Sequence, residues 1–382
     1  MDKKNKNPNV PNLRFSYKGD WSKRKLNEIC LFFKGNGLSK SDLSNEGFPC
    51  ILYGELYTTY KNEVISDIIS KTNTTLSNPF LSRNNDLIIP GSGEDPIDIA
   101  VARAIYQNDI ILGGDLNILR PKSNVSAAFL SYQLNGVRRY DIAKKAQGKS
   151  IVHLHNSDLK EVLVSIPSYD EQLHIVKLLT KIDEMIETQS KIIDDYNSLK
   201  MGIYNCMFKE NYADYKLKQL AYIVKGDQIN NDQLLSNGSY YMMNGGASPS
   251  GYLDSYNVSE NTISISEGGN SCGYVQFNSS PFWSGGHCYT IQNVNSALIE
   301  NKYLYHYLKY KEKEIMNLRI GTGLPNIQKK DLENFTILVP SLLIQRKNLA
   351  LFEMLDEKIS ILNEELANLQ KQKKYLLCNM FI

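Results

Sequence analysis

Apolar residues recur at alternating steps of three and four along two stretches of this chain, residues 169–208 and 342–381. The first series is Leu179, Ile182, Ile186, Gln189, Ile193, Tyr196, Lys200 and Ile203; the second is Phe352, Leu355, Ile359, Leu362, Leu366, Leu369, Lys373 and Leu376. That spacing lays a narrow apolar strip along a helix and predicts a coiled-coil seam. Neither stretch contains a proline, and Gly202 is the only glycine in either.

The two stretches are one pattern written twice. At a constant offset of 173 residues, Pro167 overlies Pro340, Ser168 overlies Ser341, Gln172 overlies Gln345, Asp183 overlies Asp356, Glu184 overlies Glu357, Lys200 overlies Lys373, Met207 overlies Met380 and Phe208 overlies Phe381. Each strip needs a partner of its own length. At ~1.5 Å per residue, ~38 residues make a rod of about 57 Å, so the chain leaves the first rod far from where it entered. A globular segment follows at once, and the second rod begins as that segment closes. The economical path is an antiparallel pair with one domain at each end. Gln189, which overlies Leu362, and the lysines Lys200 and Lys373 place polar residues in the seam, where they set register at some cost in stability.

Between the rods the pattern changes to short alternating runs. Residues 22–166 contain CILYGELYTTY, DLIIPGSGE, IILGGDLNIL, SIVHL and EVLVSIP, which read as strands separated by Gly, Asn and Asp turns, with helices expected over 127–135 and 140–146. Residues 211–339 repeat the plan with SYYMMNGGASPSGYL, NTISISEGGNSCGYVQF, HCYTIQ and FTILVP, and with a helix over 302–318. The segments also open alike: KLNEICLFFKGN from Lys25 overlies KLKQLAYIVKGD from Lys216 at an offset of 191. Matching ends around unlike middles imply one scaffold with an exchanged surface. The class is α+β twice over, plus two rods.

At 382 residues the chain can bury two or three cores, and 42% hydrophobic with 22% charged residues is ordinary for a globular protein. The opening residues lack an apolar core and do not read as a signal peptide, and no run approaches the ~18 apolar residues of a membrane span; a cytoplasmic protein is expected. The six cysteines, Cys30, Cys50, Cys206, Cys272, Cys288 and Cys378, show no metal-binding spacing and read as free, buried thiols. The net charge of +2 is uneven: Lys and Arg number 22 against 17 Asp and Glu over residues 1–165, 5 against 8 over 166–210, 10 against 11 over 211–340, and 6 against 5 over 341–382. Such a balance is too mild for gripping nucleic acid by bulk charge alone, so a DNA-binding role calls for a partner that supplies phosphate contacts.

Catalytic signatures are few. Residues 33–37 spell FxGxG, as in methyltransferases that use S-adenosylmethionine, but a polar loop follows where a helix is needed, and Gln228 replaces the second glycine in the other segment. The chain has no Pro-Pro pair of the kind a DNA amino-methyltransferase uses, and no Walker A pattern. His153 and His155 read as one core and one surface histidine. What remains is a set of glycine-rich loops: GSGEDPID, LGGDLN, AQGKS, NGGASPSGY, SEGGNSCGY, SGGHCY and RIGTGLPNI. Any one is a plausible tight turn; seven together, set with Asn, Ser, Lys, Arg and Tyr, read as binding surface.

KGNGLSKSDL, CILYGELYTTY, IIPGSGEDPIDIA, ILGGDLNIL, AQGKSIVHL and IPSYDEQLHIVKLL in the first half, with YYMMNGGASPSGYL, GGNSCGY, RIGTGLPNI and VPSLLIQRKNLALF in the second, make the chain resemble the DNA-specificity (S) subunit of Type I restriction-modification systems. The resemblance implies two target-recognition domains related by pseudo-two-fold symmetry and separated by two long antiparallel coiled-coil helices. They map as a lead-in over 1–21, domains over 22–166 and 211–339, and spacers over 167–210 and 340–382. It implies double-stranded DNA with a bipartite target as ligand, two adenine methyltransferase subunits docked along the spacer, and motor-nuclease subunits for restriction. S-adenosylmethionine, ATP and Mg²⁺ then belong to those partners, and the chain itself is non-catalytic and holds no metal. On this reading Lys34, Lys40, Tyr53, Glu55, Tyr57, Ser92, Lys149, Asn244, Ser248, Tyr252, Asn270, Arg319 and Thr322 lie at or near DNA. Glu187, Asp194 and Glu364 mark outer rod faces for docking. A self-contained methyltransferase using the FxGxG loop and a coiled-coil adaptor for protein partners remain the alternatives.

Overall fold

The computed structural model describes residues 9–208, 212–321 and 323–382. The chain divides into two compact units, Met1–Ser190 with Glu364–Ile382, and Lys191–Asn363. In the first, the main sheet runs in the order Cys30–Lys34, Leu116–Pro121, Asp86–Pro90, Arg103–Ile105, Val64–Ile65, antiparallel except for the last pair. Asp86–Pro90 is buried at every residue because the helix Ala127–Asn135 packs across it. That helix starts where Ser126 Oγ accepts from the Phe129 N–H, and it buries Phe129, Leu130 and Tyr132 completely. Ser22–Lys25 pairs with Leu163–Ile166 beneath the sheet, so the two ends of the domain meet.

The second unit repeats this frame. Its main sheet runs Tyr222–Lys225, Cys288–Gln292, Thr262–Ser266, Val275–Asn278, and Ala213–Lys216 pairs with Thr336–Val339. Register carries over with the sequence repeat: Lys34 lies opposite Asn117, and Lys225, which overlies Lys34, lies opposite Tyr289. The expected helix over 302–318 is two helices, Asn301–Tyr310 and Glu312–Met316, broken where the first unit breaks between Ala127–Asn135 and Arg139–Ala143.

Both rods are present, as Tyr169–Met207 and Leu342–Asn379, and all sixteen seam residues are buried or half-buried. Inside each unit the two helices run antiparallel. In the first, Lys373 Nζ lies 2.6 Å from Asp183 Oδ1 and 2.6 Å from Glu63 Oε2, and the Tyr132 hydroxyl donates to Asp183 Oδ2 at 2.6 Å. Further along, Gln189 Nε2 donates to Glu365 Oε2 at 2.9 Å. In the second, Lys200 pairs with Asp356, and the ring of Tyr204 packs edge-on to Phe352 at 4.8 Å. Because Lys200 overlies Lys373 and Asp183 overlies Asp356, these are one ion pair made twice with the helices exchanged.

A second duplicated device explains the Pro-Ser-x-x-x-Gln signature. The carboxamide of Gln172 accepts from Ser126 N–H at 2.9 Å and donates to the carbonyls of Asn124 and Pro167 at 3.2 and 3.1 Å. Gln345 accepts from Glu300 N–H at 2.8 Å and donates to Leu298 and Pro340 at 2.9 and 2.8 Å. Each long helix is thereby clamped to the cap of its own domain helix, with every polar atom of the buried amide satisfied.

Three local expectations are corrected. CILYGELYTTY is not a continuous strand: after Phe48–Ile51 the chain turns into the helix Glu55–Thr58, because the Glu55 carboxylate accepts from Leu52 N–H at 2.7 Å and closes the turn. His153 and His155 are both exposed and stack with their centroids 6.1 Å apart, while Val152 and Leu154 are buried. A two-residue period puts i and i+2 on one face, so the pair could not divide between core and surface. Cys206 and Cys378 are exposed on the long helices, whereas Cys30 is buried deeply enough to push its thiol up to about 12. No described helix is long and apolar enough to cross a membrane.

Candidate nucleic-acid interface

Four of the glycine-rich loops converge in the second unit. Residues 244–246 and 250, 267–271, 287 and 324–326 line a cleft of about 590 Å³ with Lys225, and Asn244, Asn270 and Asn326 carry its amides. At its floor the Glu267 carboxylate accepts from Lys225 Nζ at 2.6 Å and from the Tyr289 hydroxyl at 3.1 Å, with His287 Nδ1 3.6 Å from its other oxygen. Burial and the neighbouring Glu267 both raise the Tyr289 phenol, which stays a hydrogen-bond donor. Backbone bonds lock this floor: Glu267 N–H donates to the His287 carbonyl and Ile327 N–H to the Glu267 carbonyl, each at 2.9 Å. A rigid polar floor under loops with little side-chain bulk suits a ligand whose edge is read by hydrogen bonds.

Asn244 and Asn270 both line this cleft, Asn244 Oδ1 also accepting from His287 N–H at 3.0 Å. Ser248, Tyr252 and Arg319 are exposed but do not line the cleft. Thr322 lies outside the described residues. Lys225, Glu267 and His287 are the residues that reading the sequence missed. Lys225 was within reach, since it overlies Lys34 at the 191-residue offset; nothing in the local pattern marks the other two.

In the first unit, Lys34 ends its strand with Nζ 3.2 Å from where a Cβ on Gly91 would stand. Ser92 lies opposite His153 in the ladder, and the Tyr57 hydroxyl is 3.5 Å from a Cβ placed on Gly93. Lys34, Tyr57 and Ser92 therefore share one neighbourhood, joined by the hairpin that carries exposed Lys149. Three expectations change in kind. Ser92 is 4% exposed and donates to Asp115 Oδ2 at 3.1 Å, so it braces the site from behind. Glu55 is committed to the Leu52 turn and to the Ser70 hydroxyl, and Tyr53 is half-buried against the apolar cluster around Ile51 and Leu56. Lys40 is exposed in the one-turn helix Lys40–Asp42.

The two lysines differ in their neighbours. Ladder registers put Gly91 of the first unit at the place of Glu267 in the second, so the first lysine lacks that carboxylate beside it. The FxGxG loop also has a local explanation: a Cβ on Gly35 would sit 2.0 Å from the Gly113 carbonyl oxygen, so glycine is demanded by a close backbone approach.

Two α+β units of one plan, each ending its first main-sheet strand in a lysine beside glycine-rich loops, define a duplicated module. The chain belongs to the family described as the Type I restriction modification DNA specificity domain, matched twice, over residues 18–195 and 209–371. A putative Type I specificity subunit of Mycoplasma pneumoniae is 34% identical over 155 residues, a stretch spanning 40% of this chain and 41% of that protein. A putative MjaX specificity subunit of Methanocaldococcus jannaschii is 23% identical across 94% of this chain and 92% of its own. Among solved structures, a Type I restriction-modification S subunit from M. genitalium shares the fold at a TM-score of 0.69 and 20% identity, covering 98% of this chain and 99% of that one.

Proposed function

We propose that this chain is the non-catalytic DNA-recognition subunit of a Type I restriction-modification complex. Each domain reads one part of a bipartite site in double-stranded DNA, and the paired helices carry two adenine methyltransferase subunits, joined by motor-nuclease subunits for restriction. S-adenosylmethionine, ATP and Mg²⁺ act on those partners, in the cytoplasm. The observation that carries this reading is duplication with divergence: two specificity domains share clamps, ladders and a strand-end lysine, yet differ in that lysine's neighbours and in loop content. One scaffold with two different reading surfaces suits a site whose two halves differ. The mild net charge of +2 agrees with partners that supply most phosphate contacts.

Methylation sequencing of a host expressing this chain with its neighbouring methyltransferase tests the reading. A split adenine-methylated motif is expected, and exchanging residues 211–339 for another domain of the family should change one half only. A motif without two halves, or DNA methylation by the pure chain alone, would overturn it.

A further inference from the structure

Residues 146–154 and 319–327 overlie one another at the 173-residue offset, placing Gly148 over Gly321 and Ile151 over Leu324. The described arms of both stretches pair with each other: Gln147 with His153 in the first, and Ile320 with Asn326 in the second. Both turn through a left-handed glycine, with φ of +140° at Gly148 and +104° at Gly321. A Cβ on Gly148 would stand 2.0 Å from the Ile151 carbonyl oxygen, so the chain itself fixes that turn.

Each hairpin holds a large aliphatic side chain out in water. Ile151 is 57% exposed and Leu324 is 86% exposed, while Leu154 and Ile327, three residues on, are fully buried. A single exposed aliphatic needs no explanation. Two at one position of a duplicated hairpin, in domains whose surfaces otherwise diverged, do. Both hairpins stand on the candidate interface: His153 is laddered to Ser92, and Leu324, Pro325 and Asn326 line the cleft with Lys225. Lys149 and His153 in one unit and Arg319 and Asn326 in the other set basic or polar side chains beside these tips, with Ile320, 60% exposed, the one large apolar neighbour on the second hairpin, and that mainly basic and polar setting suits nucleic acid.

Building on the proposed function, we infer that Ile151 and Leu324 are wedges, each entering a base step of its own half-site and partly unstacking it. Apolar side chains inserted between base pairs do this in proteins that deform DNA, and pyrimidine–purine steps yield most easily. Each half-site then contains one step selected for deformability rather than by base-edge contact.

The test uses the complex with its methyltransferase, without methyl donor, on its split site carrying 2-aminopurine at successive positions. With the unmodified chain, fluorescence should rise at one step in each half-site, in addition to any rise at the adenine to be methylated. Leu324→Ala should abolish the rise in the second half only and weaken binding roughly tenfold, the scale of one buried leucine; Leu324→Met should keep both. Ile151→Ala should do the same in the first half. Both side chains are exposed, so truncation removes no core packing. If the complex selects a split site but neither alanine variant changes fluorescence or affinity, the wedges are refuted while the recognition role stands. If the variants weaken methyltransferase retention with the DNA signal intact, the tips are protein contacts and the wedges are again refuted. Selection of no split site would refute both.

Discussion

His306 shows how a single side chain is made to serve the interior. It is 2% exposed, its Nδ1 lies 2.7 Å from the Tyr204 hydroxyl, and its Nε2 lies 3.9 Å from Asp356. Burial, helped by Lys200 and Lys302, lowers its pKa from 6.5 to about 3. The folded ring is therefore neutral and shares a hydrogen bond with the Tyr204 hydroxyl. Between about 3 and 6.5 the unfolded chain binds a proton that the folded chain refuses, so the stability present at neutral pH drains away on acidification through that window. The slope approaches ~1.4 kcal/mol per pH unit at most. Melting of the second unit should thus weaken between pH 7 and pH 4 more steeply than in His306→Phe, compared by thermal denaturation over that range. Equal slopes would show that other groups dominate.

At the scale of elements, the duplicated ion pair is not equally strong in its two settings. Lys373 is 17% exposed and faces Asp183 and Glu63, themselves 5% and 7% exposed, whereas Asp356 opposite Lys200 is 40% exposed. Burial raises the Asp183 carboxyl even against the pull of Lys373, and Glu63 and Asp183 hold Lys373 up although burial opposes them. Removing the cation strands two carboxylates away from water. Lys373→Met is expected to cost ~3–5 kcal/mol and Lys200→Met clearly less, measured by chemical denaturation. Equal losses would mean that the first pair is more solvated than its geometry shows.

These seams were the most legible part of the chain, because a period held through sixteen positions and repeated at one offset leaves no second reading. Helix 127–135 was legible for a similar reason, having a serine cap and no breaker before Gly136. The helix at Glu55 was not: its tyrosines and threonines favour strands, and what overrides them is one carboxylate reaching back to Leu52. Nor could the cleft be assembled beforehand. Glu267 and His287 are twenty residues apart in different loops, and only the ladder between Thr262–Ser266 and Cys288–Gln292 brings them together.

For the whole molecule, the consequence of the proposed role is metric. If the paired helices set the distance between the half-sites, lengthening both by seven residues at matched seam points preserves the heptad frame and adds about 10.5 Å. At ~3.4 Å per base pair that corresponds to about three more unread base pairs. Three base pairs also turn the second half-site by roughly a third of a helical turn, given ~10.5 base pairs per turn. The lengthened chain should therefore bind its new site more weakly than the parent binds its own, with each half-site sequence unchanged. Methylation sequencing reads both half-sites and the gap in one measurement. A gap that keeps its length would show that the helices join the domains without measuring the DNA between them.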